Sequence, residues 1–306
     1  MKKHFKRPLS LLLAILLCIG MLPVSASAAD LTGSMSMIDI KGRDHALSSS
    51  LPAPFGGYAS EKYTMLRITD SSTGATKTAY CLELGISTYY QEQYQPSADY
   101  PQFSQEQKEL INAVLTLGYN TDTGTKYGGS PEDEYIATQI LVWLIAHKQL
   151  GTQYENQIVS EFTVNSPGAK AVFTKLRKAV MDYRTIPSFA CEDSKYASSH
   201  TYELKYNAQT GKYETTLTDS NGVLSEFSFS QPGVSFARTG NQLKISSEKT
   251  SFSTVSGEKK LPSSIAGVVK GASRYWLNEH YQNVVAFEVG GEPLPVKAYF
   301  GLEVKA

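Results

Sequence analysis

Residues 135–144 of the chain read YIATQILVWL, an almost wholly apolar run with one amide, Gln139, at its centre. The run is typical of a buried helix, and a buried amide that lacks hydrogen-bond partners costs about 1–3 kcal/mol. A second stretch, residues 80–85, reads YCLELG and contains Cys81. We therefore treat Gln139 and Cys81 as the candidate functional pair, and the alternative for Gln139 is a core amide whose hydrogen bonds are satisfied.

The residues around these two stretches predict an α+β domain. Residues 130–133, Ser-Pro-Glu-Asp, are a typical helix start, because they supply a cap, a proline for the first turn and acids that face the helix dipole. The helix is expected to run to about Gln149, with one further helix before it and one after it. Residues 31–94 are mostly strand-like, and Cys81 lies on a strand or at its end. Strands followed by a helical layer predict an α+β fold for residues 29–187.

The second half of the chain has a different pattern. From residue 188 the helical period disappears, and short strand-like runs alternate with turns such as residues 207–211. This spacing predicts an antiparallel β-sandwich over residues 188–297. Residues 298–306 contain one more strand-like run, which we interpret as the start of a further domain.

The first 28 residues have the composition of a signal peptide. A basic start at residues 2–7 precedes an apolar run at residues 9–24 and the small-residue sequence Ala-Ser-Ala at residues 26–28. The chain is therefore expected to be exported and to act as a secreted protein or at the cell surface or cell wall.

Charge and hydropathy exclude several classes of partner. The chain has 29 basic and 29 acidic residues, and this balance argues against a nucleic-acid partner. After the signal peptide no apolar run is long enough to predict insertion into a membrane. We predict neither a cofactor nor a metal site.

Four interpretations of Cys81 follow from its chemistry. It forms a disulfide with Cys191, the other cysteine after the signal peptide; it is a nucleophile with His147 as its base; it is a buried structural thiol; or it forms an internal thioester. In the last case the sulfur attacks the side-chain carbonyl of Gln139 and expels ammonia. Such a bond needs rigid placement and exclusion of water, for which the aromatic residues Tyr80, Tyr135 and Trp143 are suited.

Two segments carry a resemblance to a known family. Residues 80–82, Tyr-Cys-Leu, and residues 138–143, Thr-Gln-Ile-Leu-Val-Trp, resemble the paired motif of the thioester domain of Gram-positive bacterial surface adhesins. The chain departs from the usual motif at Leu141 and Val142, where Ala and Ile are commoner. Both positions remain apolar, and the reactive pair is unaffected.

The resemblance implies a function. It implies that Cys81 and Gln139 form a thioester. It also implies that an amine attacks this thioester and that the molecule carrying the amine, a surface protein or another ligand, for example of a host, becomes covalently bound. Capture happens once, so the resemblance implies a single-turnover binding module and not an enzyme. The alternatives are an exported cysteine hydrolase or acyltransferase that uses Cys81 and His147, and a disulfide-stabilised, non-covalent structural protein. Four residues are expected to support the thioester: Tyr80, Thr138, Trp143 and His147.

Overall fold

The computed structural model describes residues 32–58, 62–291 and 294–305. The predicted signal peptide, residues 1–28, lies outside the described residues. Four α-helices in the described part of the chain are α1 (Gln105–Leu117), α2 (Pro131–Ala146), α3 (Glu155–Phe162) and α4 (Pro167–Arg184). The β-strands in the same part are β1 (Gly33–Asp39), β2 (Thr64–Asp70), β3 (Thr76–Cys81), β4 (Gln93–Ser97), β5 (Thr201–Glu203), β6 (Lys205–Asn207), β7 (Lys212–Thr218), β8 (Phe227–Ser230), β9 (Val234–Thr239), β10 (Gln242–Ser247), β11 (Val255–Lys259), β12 (Gly271–Leu277), β13 (Val284–Val289) and β14 (Lys297–Glu303).

Six strands form a closed sheet in the order β1-β2-β3-β13-β12-β4. All of its strand pairs are antiparallel. One cluster of side chains on this sheet includes Met35, Leu66, Ile68 and Val284, all of them buried. Strand β3, which ends at Cys81, lies between β2 and β13 and is therefore hydrogen-bonded on both sides.

Helix α2 begins where the sequence predicts. The Ser130 hydroxyl accepts a hydrogen bond from the backbone N–H of Asp133 at 3.1 Å, and Pro131 occupies the first turn, where no N–H is needed. Ser104 caps α1 in the same way: its hydroxyl accepts from the N–H of Gln107, and its own N–H donates to the side-chain oxygen of Gln107. These local signals determine the register of both helices.

Helix α2 is buried on all sides along most of its length. Residues 133–145 are all buried, because the helix packs against α1, α3, α4 and strand β3. It ends at Ala146, three residues before the predicted end, and Lys148 follows with a positive φ of 56°. The left-handed backbone at Lys148 cannot continue a right-handed helix.

Strands β12 and β13 differ from the predicted domain organisation. The sequence assigned residues 188–297 to one continuous β-sandwich, but β13 pairs with β3 and β12 pairs with β4. Four successive residues of β13, from Val284 to Phe287, are buried, which is typical of a strand covered on both faces. An apolar strand pattern indicates burial and does not identify the partner strand, so this return to the first half was not predicted. The boundary near residue 187 stays a prediction.

The remaining strands form two four-stranded sheets, with orders β6-β7-β10-β9 and β5-β14-β11-β8. Phe229 of β8 contacts Phe236 of β9 and Phe300 of β14, at ring-centroid distances of 6.1 and 5.6 Å, so aromatic side chains join the two sheets. This β-rich unit confirms the predicted fold class, an α+β domain followed by a β-rich one. Strands β5 and β14 are parallel, however, so the sheets are not purely antiparallel.

Strand β14 occupies a central position in its sheet. The sequence assigned residues 298–306 to the start of a further domain, but β14 pairs with β11 on one side and β5 on the other.

Among the described residues, no helix has the length and hydropathy needed to span a membrane. The same residues contain no cluster of three or more side chains suited to a metal ion.

Candidate functional site

Cys81 is the last residue of β3. It pairs with Val284 of β13, and the next residue, Leu82, donates its backbone N–H to the carbonyl of Asn283 at 3.0 Å. The chain then leaves the sheet at Gly85, whose φ of 93° lies in the region that favours glycine. The sheet thus fixes the backbone of Cys81, while its side chain is half-buried.

Gln139 lies in the middle of α2 and makes a reciprocal contact with Cys81. Its side-chain oxygen accepts a hydrogen bond from the backbone N–H of Cys81 at 2.8 Å, and its side-chain nitrogen donates to the backbone carbonyl of Cys81 at 2.9 Å. The side chain is 2% exposed. The two candidate residues are therefore in direct contact, and the amide is satisfied by the residue that carries the thiol.

Two tyrosines hold α2 against β3 beside this contact. The rings of Tyr80 and Tyr135 stack at 5.0 Å with an interplanar angle of 20°. The Tyr135 hydroxyl donates to the carbonyl of Ala79 and accepts from the N–H of Leu66, both at 3.1 Å, and the Tyr80 hydroxyl donates to the carbonyl of Tyr119. Burial raises the pKa of both hydroxyls, so they remain neutral donors.

Cys81 and Gln139 line a common cavity of about 300 Å³. Trp143, one helical turn after Gln139, lies on its wall, and so does Lys62. The described lining includes no Asp or Glu. The other lining residues are Met37, His45, Tyr58, Tyr63, Thr64, Leu66, Gly85, Ile86, Ser87, Thr88 and Gln282.

This contact coincides with a match to a known family. Residues 78–181 match the thioester domain family. The matched segment runs from β3 into α4 and includes both Cys81 and Gln139, and it confirms the resemblance seen in the sequence. The match supports a covalent-binding module of the adhesin type.

A solved structure also matches the chain. The thioester domain of the Staphylococcus aureus TIE protein covers 90% of this chain and 100% of its own, with a TM-score of 0.47 and 14% sequence identity. No curated protein matches the chain.

Within the thioester domain, Thr138 connects α2 to the turn after α1. Its hydroxyl donates to the carbonyl of Glu134 at 2.7 Å and accepts from the backbone N–H of Tyr119 at 3.1 Å. A Cβ atom at Gly118 would lie 2.7 Å from the Thr138 methyl carbon, so glycine is needed for this close approach. Thr138 therefore determines how the end of α1 packs on α2, next to Gln139.

Trp143 lines the cavity and also contacts Phe162. The indole stacks on Phe162 at 5.2 Å with an angle of 27°. Its Nε1 is buried and has no hydrogen-bond partner in the described part of the chain. An aromatic wall was predicted at this position, but a buried indole N–H without a hydrogen-bond partner was not.

His147 follows α2 directly and contacts the segment after Cys81. Its Nε2 accepts the backbone N–H of Leu84 at 3.2 Å, and its ring meets Phe55 edge-on at 5.7 Å. Burial lowers its pKa, with Glu83 acting in the opposite direction. It is not among the lining residues of the cavity. The contact instead fixes the segment that follows Cys81.

His45 is a cavity residue that the sequence analysis missed. It lies in the connection between β1 and β2, 4.5 Å from the ring of Tyr63 and 4.8 Å from that of Phe162, and it is 3% exposed. Both ring nitrogens are buried without a hydrogen-bond partner among the described residues. Burial lowers its pKa to about 4, and the neighbouring Asp44 partly offsets this. A lone histidine in a connection carries no motif, so no sequence signal identifies it.

Cys191 is separate from the thioester domain cavity. Its backbone forms a bridge with Tyr299, and its thiol lies 3.3 Å from the carbonyl oxygens of both Asp193 and Tyr299. It is not joined to Cys81 by a disulfide. The disulfide interpretation of Cys81 and Cys191 is therefore wrong in this structure.

Proposed function

We propose that the chain is an exported adhesin that binds its target covalently through a thioester between Cys81 and Gln139. The observation that carries the proposal is the reciprocal hydrogen bonding of the Gln139 amide with the backbone of Cys81, at 2.8 and 2.9 Å. This contact holds an acyl group against the residue that carries the thiol, with both residues on rigid elements, and the thioester reaction requires such placement.

Thioester formation exchanges one bond for another. The Cys81 sulfur attacks the side-chain carbonyl carbon of Gln139, the carbon–nitrogen bond breaks, and the nitrogen leaves as ammonia after it receives the thiol proton. Negative charge develops on the side-chain oxygen, which already accepts the N–H of Cys81 at 2.8 Å. A preorganised donor at this oxygen stabilises the tetrahedral intermediate. Rigid placement supplies an effective molarity on the order of 10⁵–10⁸ M for such reactions.

Capture of the target consumes the thioester. A target amine attacks the Gln139 carbonyl carbon, the carbon–sulfur bond breaks, and an amide links the target to Gln139 while the Cys81 thiol is regenerated. The amide is more stable than the thioester, so the reaction occurs once and the module does not turn over. The partner is a surface protein or another amine-bearing ligand, and the predicted signal peptide supports action outside the cell.

The alternative of a cysteine hydrolase has no comparable support. It needs His147 to accept the proton of Cys81, and because the Nε2 atom of His147 already accepts the N–H of Leu84, only Nδ1 is left for that role. The carbonyl of Gln139 is instead the electrophile in contact with the Cys81 residue. We therefore retain the thioester as the proposed chemistry.

Intact mass spectrometry tests this proposal. The purified chain is expected to be one ammonia lighter than its sequence, and Cys81→Ala and Gln139→Ala should each restore the mass calculated for the variant sequence. Matched controls are Cys191→Ser and Gln107→Ala. Gln107 is also a buried helical amide, but it donates to the carbonyls of Ile145 and Ala146. Both controls should retain the ammonia loss.

Addition of methylamine gives a second measurement on the same samples. The wild-type mass should increase by one methylamine, and one further thiol should become titratable. A wild-type chain with its full sequence mass and no reaction with methylamine would overturn the thioester.

A further inference from the structure

The cavity beside Cys81 and Gln139 contains buried polar atoms without partners. Among the described residues, both ring nitrogens of His45 and the indole Nε1 of Trp143 make no hydrogen bond, and both side chains line this cavity. Buried polar groups in native proteins are normally satisfied, and exceptions are frequent at functional sites. These atoms therefore have unused hydrogen-bonding capacity at the wall of the cavity.

The position of His45 is fixed by aromatic contacts. Its ring is tilted against Tyr63 and Phe162 at 40° and 52°, and it lies parallel to the ring of Tyr58 at 6.4 Å. Phe162 also stacks on Trp143, so the imidazole and the indole share one support. A side chain packed on several sides presents its nitrogens in a defined orientation without a hydrogen bond to hold it.

We propose that His45 is a catalytic residue of the capture step, in which it accepts the proton of the attacking amine. This inference rests on the proposed thioester and concerns only its reaction with the target. As the amine nitrogen bonds to the Gln139 carbonyl carbon and the carbon–sulfur bond breaks, one proton moves from that nitrogen to His45. The proton then passes to the Cys81 sulfur, which leaves the imidazole neutral and the thiol protonated.

Burial keeps the imidazole of His45 neutral at physiological pH. The titratable groups around it are Asp44 beside it in sequence, Tyr58 and Tyr63 against its ring, and Lys62 on the cavity wall. Burial outweighs the effect of Asp44 and lowers the pKa of His45 to about 4. An imidazole that is unprotonated at neutral pH has a lone pair to accept a proton.

The same cavity favours a nucleophile that enters uncharged. The described lining includes the cation Lys62 and no carboxylate, so a neutral amine meets less repulsion there than an ammonium group. A neutral primary amine also has N–H donors for His45 and a lone pair for the carbonyl carbon. The substrate class is therefore a primary amine that loses its proton before or during entry.

Replacement of His45 by phenylalanine separates capture from thioester formation. His45→Phe fills a similar volume but has no nitrogen, and His280→Phe is the matched control at an exposed histidine. The rate of methylamine addition is followed by intact mass at fixed pH. We expect His45→Phe to retain the ammonia loss of the wild type and to react with methylamine about 10²–10⁴-fold more slowly, the range for removal of a general base. His280→Phe should react at the wild-type rate.

Each other result has a defined meaning. A His45→Phe variant that has lost ammonia and reacts at the wild-type rate would overturn the role of His45 and leave the thioester intact. A folded variant without ammonia loss would assign His45 to thioester formation and also overturn its role in capture. A wild-type chain without ammonia loss would refute the proposed function itself. If His45→Phe does not fold, His45→Gln replaces it, since glutamine hydrogen-bonds but accepts no proton, and the same slow reaction is expected.

Discussion

Two buried polar regions of this molecule are organised in opposite ways. In the β-rich half, the Lys259 side chain is fully buried, yet its Nζ donates to the carbonyls of Asp182 and Thr185 at 2.7 and 2.8 Å and pairs with Glu226 at 3.0 Å. In the cavity beside Cys81 and Gln139, the nitrogens of His45 have no partner among the described residues. The Lys259 ammonium group therefore has a partner for each of its three N–H donors, whereas the two ring nitrogens of His45 have none among the described residues.

The difference separates a structural role from a functional one. Lys259 connects β11 to the end of α4, where its positive charge also interacts favourably with the negative end of the helix dipole. Its burial is therefore compensated within the fold. The unsatisfied nitrogens of His45, in contrast, lower the stability of the fold and form no hydrogen bond that offsets this cost. Such groups are common at sites that bind or transform a ligand.

Removal of the Lys259 charge should have the largest effect on stability. Lys259→Met keeps the apolar stem but leaves the carbonyls of Asp182 and Thr185 without their donor, and we expect a loss of about 3–5 kcal/mol in the free energy of unfolding. Urea denaturation measures the loss. Lys305→Met, at an exposed lysine with two surface ion pairs, is the control and should change stability by less than about 0.5 kcal/mol. Equal losses in the two variants would remove the distinction drawn for Lys259.

Acidification should destabilise the cavity region through His45. The pKa of His45 is about 4 in the folded chain against an ordinary value of 6.5, so the unfolded chain binds more protons between these values. The contribution of His45 is complete above pH 6.5 and is lost as the pH falls to about 4. At about 1.4 kcal/mol per pKa unit, the loss is about 3 kcal/mol.

Comparison with His45→Phe isolates this contribution. The free energy of unfolding of both chains is measured from pH 7 to pH 4, and the wild type should lose about 3 kcal/mol more than the variant. Parallel pH profiles would mean that His45 titrates normally and that its nitrogens are not deprived of partners.

Replacement of Trp143 should have the smallest effect. Trp143→Phe removes the unsatisfied Nε1 donor, which is favourable, and part of the contact with Phe162, which is unfavourable. We expect the two terms to offset each other to within about 1 kcal/mol in thermal or urea unfolding. The ammonia loss should also persist in this variant. A loss comparable to that of Lys259→Met would show that the Trp143 indole nitrogen is satisfied.

Local features of the fold were predictable from the sequence. The cap at Ser130 and the proline after it act within one turn of helix, so the start of α2 follows from neighbouring residues alone. The pairing of Gln139 with Cys81 as candidates came from the chemistry of an amide in an apolar helix and from the resemblance of its motif. The structure brings these two residues into contact, as that reasoning required.

Long-range features were not predictable in the same way. The pairing of β13 with β3 joins segments far apart in the chain, and the apolar residues of β13 suit any buried sheet. His45 has the same difficulty, because its neighbours Tyr63 and Phe162 come from other segments of the chain. Sequence patterns report the burial of a residue better than the identity of what buries it.

The position of β13 determines when the fold around Cys81 can be completed. Strand β3 needs β13 on one side, and the hydrogen bonds between Glu83 and Asn283 join residues 200 positions apart. A chain that is synthesised and exported from its amino-terminal end supplies Cys81 and Gln139 long before β13. The backbone that orients Cys81 is therefore completed late, only after β13 has been synthesised.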